Sequence, residues 1–401
     1  MIGKLALVGK EVAKMGKKDK KICLCMIVKN ESRIIERCLN SAKTIVDYIS
    51  ICDTGSTDGT PEIIKKWCKE NGINGKVHFE PFKNFGYNRT KAVSLAQETF
   101  SDSDYLLLLD ADMILEVQPN FNKSSLEKDQ YLTMQYNGKI KYWLTRLLKT
   151  SLPWHSVGVT HEYWDLDRSK LPHESFLYID TKGKLDTLVV NDQEDGGSKT
   201  DKFERDKRLL QQGLEDSNTP RYLKGRYMFY LAQTHMCLEE YEESILWYKK
   251  RVEVGGWIEE IYYSLLQIGL CYERLANCSD ENNCEEYEAL SILYLQKSWE
   301  YRATRAEPLY HLARIHRIRG NHHLGLLFAN RGKEIPFPNE DILFVDYHVY
   351  EYLFDYEISI CANYIKDKFE IGRVAQKRLE SMLDELPKHI AESVKNNARF
   401  Y

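Results

Sequence analysis

The sequence predicts an α/β domain on a mostly parallel sheet, followed by an all-α domain of repeated helical pairs. Apolar runs of strand length alternate with helix-period segments from residue 22 to about residue 110, as in a parallel sheet covered on both faces. Three of these runs lead into a polar residue, Asn30, Asp53 or Asp110. From about residue 221 the pattern is helical and repeats at a period of roughly 34 residues.

The elements follow in order. Ile22 to Val28 is an unbroken apolar run that suits a strand buried on both faces. Ile34, Ile35, Cys38, Leu39, Ala42 and Ile45 then recur at helical spacing. Tyr48 to Cys52 is a second strand ending at Asp53, and Thr54 to Gly59 is a turn. Thr60 is expected to cap the next helix, with Pro61 at its first position and Glu62 in its first turn. Val77 to Phe79 reads as a third strand, Asn88 to Phe100 as a helix, and Tyr105 to Leu109 as a fourth strand that runs into Asp110. Residues 131–190 read as shorter strands and loops. In such sheets ligands bind beyond the carboxyl ends of the strands, where Asn30, Asp53 and Asp110 fall.

Past residue 221, Leu231-Ala232 with Tyr241, Ser244 and Tyr248 has the spacing of a tetratricopeptide repeat. Ile268-Gly269 with Ala289 and Leu293 repeats it across an insert at 277–284, and Leu312-Ala313 with Gly325 and Ala329 repeats it again. The domains are therefore a basic N-terminal tail at 1–21, the α/β domain at 22–200, a linker or helix at 201–220, and the repeats at 221–401.

Composition narrows the function. The 401 residues allow two domains, and 43% hydrophobic with 29% charged residues describes a globular chain. A net charge of −4 gives no bias toward nucleic acid, and no apolar run reaches membrane-spanning length. The ten cysteines show no disulfide framework, which points to a reducing, cytoplasmic setting. In the tail Leu5 to Val8 precedes Lys14, Lys17, Lys18, Lys20 and Lys21, the reverse of a signal peptide's order.

Chemistry concentrates at a few positions. Asp110-Ala111-Asp112 places two carboxylates after a buried strand, a hard oxygen site for Mn²⁺ or Mg²⁺. Asp53 stands where an acid can accept from ribose hydroxyls or a base N–H, or can simply cap its turn. His161-Glu162 offers a carboxylate as general base and an imidazole as a further metal ligand, with Glu194 and Asp195 as rival bases. Lys199, Lys202 and Arg205 suit either a solvated helix start or a segment closing over a diphosphate. Trp154 and Trp164 flank His161-Glu162 and suit sugar stacking or core packing.

Met26-Ile27-Val28-Lys29-Asn30-Glu31, then Asp53-Thr54-Gly55-Ser56-Thr57-Asp58-Gly59-Thr60, then Leu109-Asp110-Ala111-Asp112, in that order and spacing, resemble glycosyltransferase family 2, in the subset with trailing tetratricopeptide repeats. The resemblance covers roughly residues 22–255 and implies a GT-A type nucleotide-binding domain. It further implies a UDP-sugar donor (UDP-glucose first), a divalent metal and inversion at the anomeric carbon. Carried over by position, Asp53 contacts the uridine, Asp112 ligates the metal, and Asp110 faces the ribose or the metal. Val28, Asn30, Glu31 and Ala111 line the nucleotide edge. Asn88-Arg89 falls where the family has an Arg/Asn pair near the nucleotide, here in the order Asn then Arg. The acceptor expected is a peptide, protein or glycan, and an oligomer is compatible with all of this. The competing reading is a repeat-based interaction protein whose sugar-binding half is inactive.

Overall fold

The computed structural model describes residues 19–136, 141–172, 177–196, 202–278 and 281–401. The basic tail up to residue 18, the Gly197-Ser198-Lys199 part of the turn after residue 195, and residues 279–280 of the insert lie outside them. The chain divides into two compact units, with the boundary between Lys202 and Phe203.

The first unit is built on an eight-stranded sheet. Strands β1 (Ile22–Val28), β2 (Tyr48–Asp53), β3 (Asn74–Phe79) and β4 (Tyr105–Leu108) alternate with helices α1 (Ile35–Ala42), α2 (Thr60–Asn71) and α3 (Phe85–Thr99). Then follow β5 (Met113–Val117), β6 (Gln130–Tyr136), β7 (Lys141–Lys149), β8 (Trp154–Val157), β9 (Tyr163–Leu166) and β10 (Lys182–Asp192). The sheet order is β3-β2-β1-β4-β7-β6-β10-β5, with β8-β9 as a separate hairpin. Four of the seven pairings in the large sheet are parallel, so the parallel half expected from the sequence is continued by a mixed half. β5 was not legible, because its five residues follow directly on the acidic turn.

The unbroken apolar runs have a simple cause. Ile22, Leu24 and Met26 face one hydrophobic cluster with α1 and α2, while Cys23 and Cys25 face a second with α3. Alternate side chains leave a strand on opposite faces, so both sets must be apolar. All ten cysteines are free, and burial pushes the Cys25 thiol up to about 12, consistent with a packing role.

Two helix starts differ from expectation. Gly59, at φ 82°, occupies the N-cap of α2. Thr60 is instead its first residue, with its hydroxyl donating to Asp58 Oδ1 at 2.6 Å. Helix α3 begins three residues before Asn88, capped by Asn84, whose side chain accepts from the Tyr87 N–H.

The second unit is helical: α4 (Lys202–Glu215), α5 (Arg221–Cys237), α6 (Tyr241–Val254), α7 (Ile258–Cys278), α8 (Glu281–Tyr301), α9 (Glu307–Ile318), α10 (His322–Lys333), α11 (Phe354–Asn363), α12 (Phe369–Glu380) and α13 (Lys388–Asn397). The stretch read as linker or helix thus opens with α4. Helices α5 to α12 pack each on the next, and the three repeats correspond to α5/α6, α7/α8 and α9/α10. Their small residues sit where the helices touch. A Cβ on Gly269 would stand 2.9 Å from Leu295 Cγ, and one on Gly325 2.7 Å from Cys361 Sγ and 3.2 Å from the Ala313 carbonyl oxygen. Among the described residues no helix is long and apolar enough to cross a membrane.

The Gly325 contact yields a test. G325V forces a branched side chain against the α9 backbone and should destabilise the helical unit by about 1–3 kcal/mol. That loss is read as a lower urea midpoint of the far-UV dichroism, and an unchanged midpoint would show that α10 and α11 have room to part.

Candidate active site

Parallel pairing sets the site's frame. Val28 lies opposite Asp53, and Cys25 opposite Leu108. β1 therefore runs between β2 and β4, with the acid residues that follow both neighbours at its carboxyl end. Two strand spacings, about 10 Å, separate those flanking backbones. That is a span suited to a nucleotide laid across β1.

The loops after β1 and β2 form one braced unit. The Val28 carbonyl accepts from the Thr54 N–H at 2.9 Å and from its hydroxyl at 3.0 Å. The Asn30 N–H donates to Ser56 Oγ, its side-chain oxygen accepts from the Thr57 N–H at 2.8 Å, and the Glu31 N–H donates to Thr60 Oγ1. Asp58 accepts from the Ser32 N–H and from the N–H and hydroxyl of Thr60. Burial opposes its charge, but these donors hold its carboxyl down to about 2. Asp53 is buried, and its carboxylate accepts from the N–H groups of Gly55 and Ser56 at 3.1–3.2 Å. In this conformation Asp53 caps its turn. A carboxylate has about four lone-pair sites, so a ligand donor can still be added.

The acid at the end of β4 is held by arginines. Arg89 Nη2 stands 2.9 Å from Asp110 Oδ1, and Arg89 Nε donates to Glu162 Oε1 at 2.5 Å. The three side chains are only 15–26% exposed. Burial works against the Arg89 charge, yet Asp110 and Glu162 hold its guanidinium above the ordinary range. Behind them Arg146, 7% exposed, stands 3.9 Å from Asp110 Oδ2. It also donates to Gln135 Oε1, and Gln135 in turn donates to Asp192. Burial pulls the Arg146 guanidinium below its usual value, with Asp110 pulling the other way. A polar chain Glu162–Arg89–Asp110–Arg146–Gln135–Asp192 thus runs under the carboxyl edge.

The backbone is shaped to allow this. A Cβ on Gly86 would lie 2.1 Å from the Gly158 carbonyl oxygen, so only glycine lets α3 approach the 156–162 turn. The Phe85 N–H donates to the Val159 carbonyl, and the Ser156 N–H to Thr90 Oγ1. That clamp sets Arg89, on α3, beside Glu162. Five described residues other than glycine have positive φ, and three of them, Asn30 at 58°, His161 at 51° and Glu194 at 53°, lie in these loops. Such strain gathers at functional sites.

Asp112 meets different neighbours from Asp110. Its carbonyl accepts from the Gln193 N–H at 3.0 Å, and Gly196 lies against its carboxylate. Asp195 is held bidentate by Arg37 at 2.6 and 2.7 Å, so the loop after β10 is anchored over the acidic turn. Ala111 is buried. His161 precedes Glu162 and has a left-handed backbone, at φ 51°. Among the described residues no three His, Cys, Asp or Glu side chains converge to hold a metal. Of the two acids expected to hold one, Asp110 faces Arg89 and Arg146, and Asp112 lies beside Gly196.

Asn88 departs from the expected role. It is fully buried. Its side-chain oxygen accepts from the Lys83 N–H, and its amide donates to the carbonyls of Glu80 and Pro81. The side chain is committed to the 80–83 loop rather than turned to a ligand. Trp154 is likewise core, donating to the Lys149 carbonyl. Arg146, Gln135 and Asp192 were not singled out in the sequence. Their one signal was polarity inside strands, which a mixed edge also produces.

Fold and site together define a two-part molecule, an α/β unit with an acidic strand edge and a helical-repeat unit. Residues 23–120, within the first unit, match the model of Glycosyl transferase family 2. Curated relatives include a TPR repeat-containing protein of Synechococcus elongatus, 35% identical over 28% of this chain and 25% of its own length. Glycosyltransferase SunS of Bacillus subtilis is 34% identical over 29% of this chain and 25% of its own. The chain thus spans about a quarter of the length of these relatives. The solved structure of S. aureus TarS 1-349 aligns over 67% of this chain and 90% of that one, at 16% identity and a TM-score of 0.33.

The Asp58 brace carries a pH signature. A carboxyl lowered in the folded state contributes stability in full above its ordinary value near 3.9, and loses it as pH falls toward about 2. The gap between the urea midpoints of wild type and D58N should therefore stay constant from pH 8 to about pH 4 and close below it. A gap already narrowing at pH 6 would show that Asp58 is not the group responsible.

Proposed function

We propose that the first unit transfers a sugar from a UDP-sugar, UDP-glucose first, to a peptide or protein acceptor by a single inverting displacement. The observation that carries this is the Arg89 bridge. One guanidinium holds Asp110, on the donor side, and Glu162, the candidate base, within hydrogen-bond reach of itself. Uridine lies over the braced 28–32 and 53–60 loops, and the diphosphate sits toward Asp110 and Asp112. Glu162 takes the acceptor's proton as the acceptor attacks the anomeric carbon, the bond from that carbon to the diphosphate breaks, and UDP departs.

Charge balance supports a divalent ion. Three arginines of the site, Arg37, Arg89 and Arg146, stand among five carboxylates, Asp110, Asp112, Glu162, Asp192 and Asp195. A diphosphate would add negative charge to an edge already in deficit. Asp112 and Asp110, with His161 as a further ligand, would hold Mn²⁺ or Mg²⁺, and such an ion would supply positive charge against the diphosphate of the leaving group. In the chain itself, Arg89 holds Glu162 in place, and the Gly86 clamp keeps that pair together.

The inactive-domain reading has one observation in its favour, the capture of the Asp53 carboxylate by its own turn. Calorimetric titration with UDP and Mn²⁺ separates the two. Binding that disappears in D112A supports transfer, and no binding by the wild type supports an inactive domain.

Two kinetic outcomes are expected. E162Q should lower kcat about 10²- to 10⁴-fold while leaving UDP binding intact, and the product's anomeric proton should report inversion. Equal turnover by E162Q would move the base to Glu194. R89Q and E162Q should be strongly non-additive, since both disable one bridge. Independent, multiplicative losses would mean that the bridge does not act in turnover.

A further inference from the structure

We infer that the face presented by α5, α7 and α9 is a groove for an extended peptide, and that the chain holds it shut with its own segment Asp341–Phe344. This rests on the helical unit alone and is independent of sugar transfer. The segment lies between α10 and α11 and has no regular secondary structure. The helices read its main chain. Glu259 on α7 accepts the N–H groups of Ile342 and Leu343 at 2.9 and 2.8 Å. Arg305, just before α9, donates to the carbonyl oxygens of Leu343 and Phe344 at 3.3 and 3.2 Å. Capture of consecutive backbone groups by side chains recognises an extended chain whatever its sequence, and pockets for alternate side chains then add selectivity.

Two such pockets are visible. The Asp341 carboxylate lies against Arg302 and Arg305. Leu343 enters the cluster of Phe229 on α5 and Ile268 on α7. Between them Ile342 is 81% exposed, and after them Phe344 is 48% exposed. The ligand pattern is therefore a carboxylate followed two residues later by an aliphatic side chain.

The segment is held as a strap rather than built in as core. Only Leu343 of its apolar residues is buried. Phe344 sits at φ 45°, a left-handed backbone that a bulky residue adopts under strain. One charge of the groove keeps a partner without the strap: Arg305 is held by Glu307 at 2.6 Å, and Glu307 accepts further from Tyr262 and Tyr350. Glu259 and Arg302 give up the strap's N–H groups and its Asp341 carboxylate when it leaves, so these are the groups an incoming peptide satisfies.

The test uses the full chain, wild type and with Asp341–Phe344 replaced by Gly-Ser-Gly-Ser. The probe is a fluorescein-labelled peptide of residues 336–348, followed by anisotropy. The opened chain should bind it, and the wild type at least about tenfold more weakly, because the tethered strap competes at high effective concentration. A probe carrying L343A should lose at least about tenfold in affinity for the opened chain. An opened chain with wild-type helical dichroism that does not bind, or a wild type that binds equally well, overturns the inference. If the replaced chain does not fold, hydrogen exchange in the wild type decides. Amides of Ile342 and Leu343 exchanging at least about tenfold faster than the buried amides of α7 and α9 support a strap that opens locally. Equal protection makes it fixed core and overturns it.

Discussion

The α/β unit's edge is organised by a charge that needs two partners. Arg89 is mostly out of water, and a lone guanidinium there would be costly. Asp110 compensates it at Nη2 and Glu162 at Nε, and neither is a sequence neighbour. One comes with the end of β4 and the other with the turn after β8, so the bridge closes only when the sheet, α3 and the β8-β9 hairpin have all taken their places. Removing one member of such a partly buried set commonly costs about 3–5 kcal/mol, because the others are left unpaired. The same bridge fixes the positions of the two acids on which transfer chemistry would depend. Stability and geometry are thus coupled through one side chain.

The rest of the edge follows from the need to hold charges still. Arg146 is more deeply buried than Arg89, and burial weakens its hold on its proton. It is tolerated because Asp110 and Gln135 face it, and Gln135 passes the polar chain to Asp192 on β10. The mixed half of the sheet therefore contributes polar partners as well as shape. Its strands β6, β7 and β10 carry the groups that stand behind the acid of the parallel half. On the other side of β1 the bracing is done by backbone donors and short side chains, with Asp58 and Asn30 stitching two loops into one rigid floor.

What the sequence revealed, and what it hid, divides along that line. Strand ends were legible because burial on both faces demands unbroken apolar runs, and such runs stop where the chain reaches water. Asp53 and Asp110 could thus be placed at one edge from pattern alone. Small residues at helix contacts were legible for a related reason, since Gly269 matches Ala232 and Ala313 in the neighbouring repeats, and Gly325 matches Ser244 and Ala289. Pairings across long sequence separation were not. Arg89 and Glu162 are 73 residues apart, and no local spacing connects them. Asn88 shows the converse failure. Its position in a motif suggested a ligand contact, while the local need was for three hydrogen bonds to bare backbone in the 80–83 loop. A buried loop's polar groups must be satisfied, and a nearby asparagine on a helix meets that need.

The helical unit solves the same problem with the same currency. Repeated helix pairs satisfy their own backbones, but the connection between α10 and α11 cannot, and its N–H and carbonyl groups lie against a face with little water. Glu259 and Arg305 supply the missing partners. The Arg305 charge must itself be compensated, so Glu307 and Asp341 face it, and the hydroxyls of Tyr262 and Tyr350 donate in turn to Glu307. A face able to hold one stretch of irregular backbone through its main-chain groups has no means of preferring that stretch except by Asp341 and Leu343. Specificity at this face is therefore a matter of two side chains and a tether, whereas at the acidic edge it is a matter of a rigid polar chain. The two units use buried charge to opposite ends, one to fix the acids of a strand edge in place and the other to accept a backbone that the fold itself leaves unpaired.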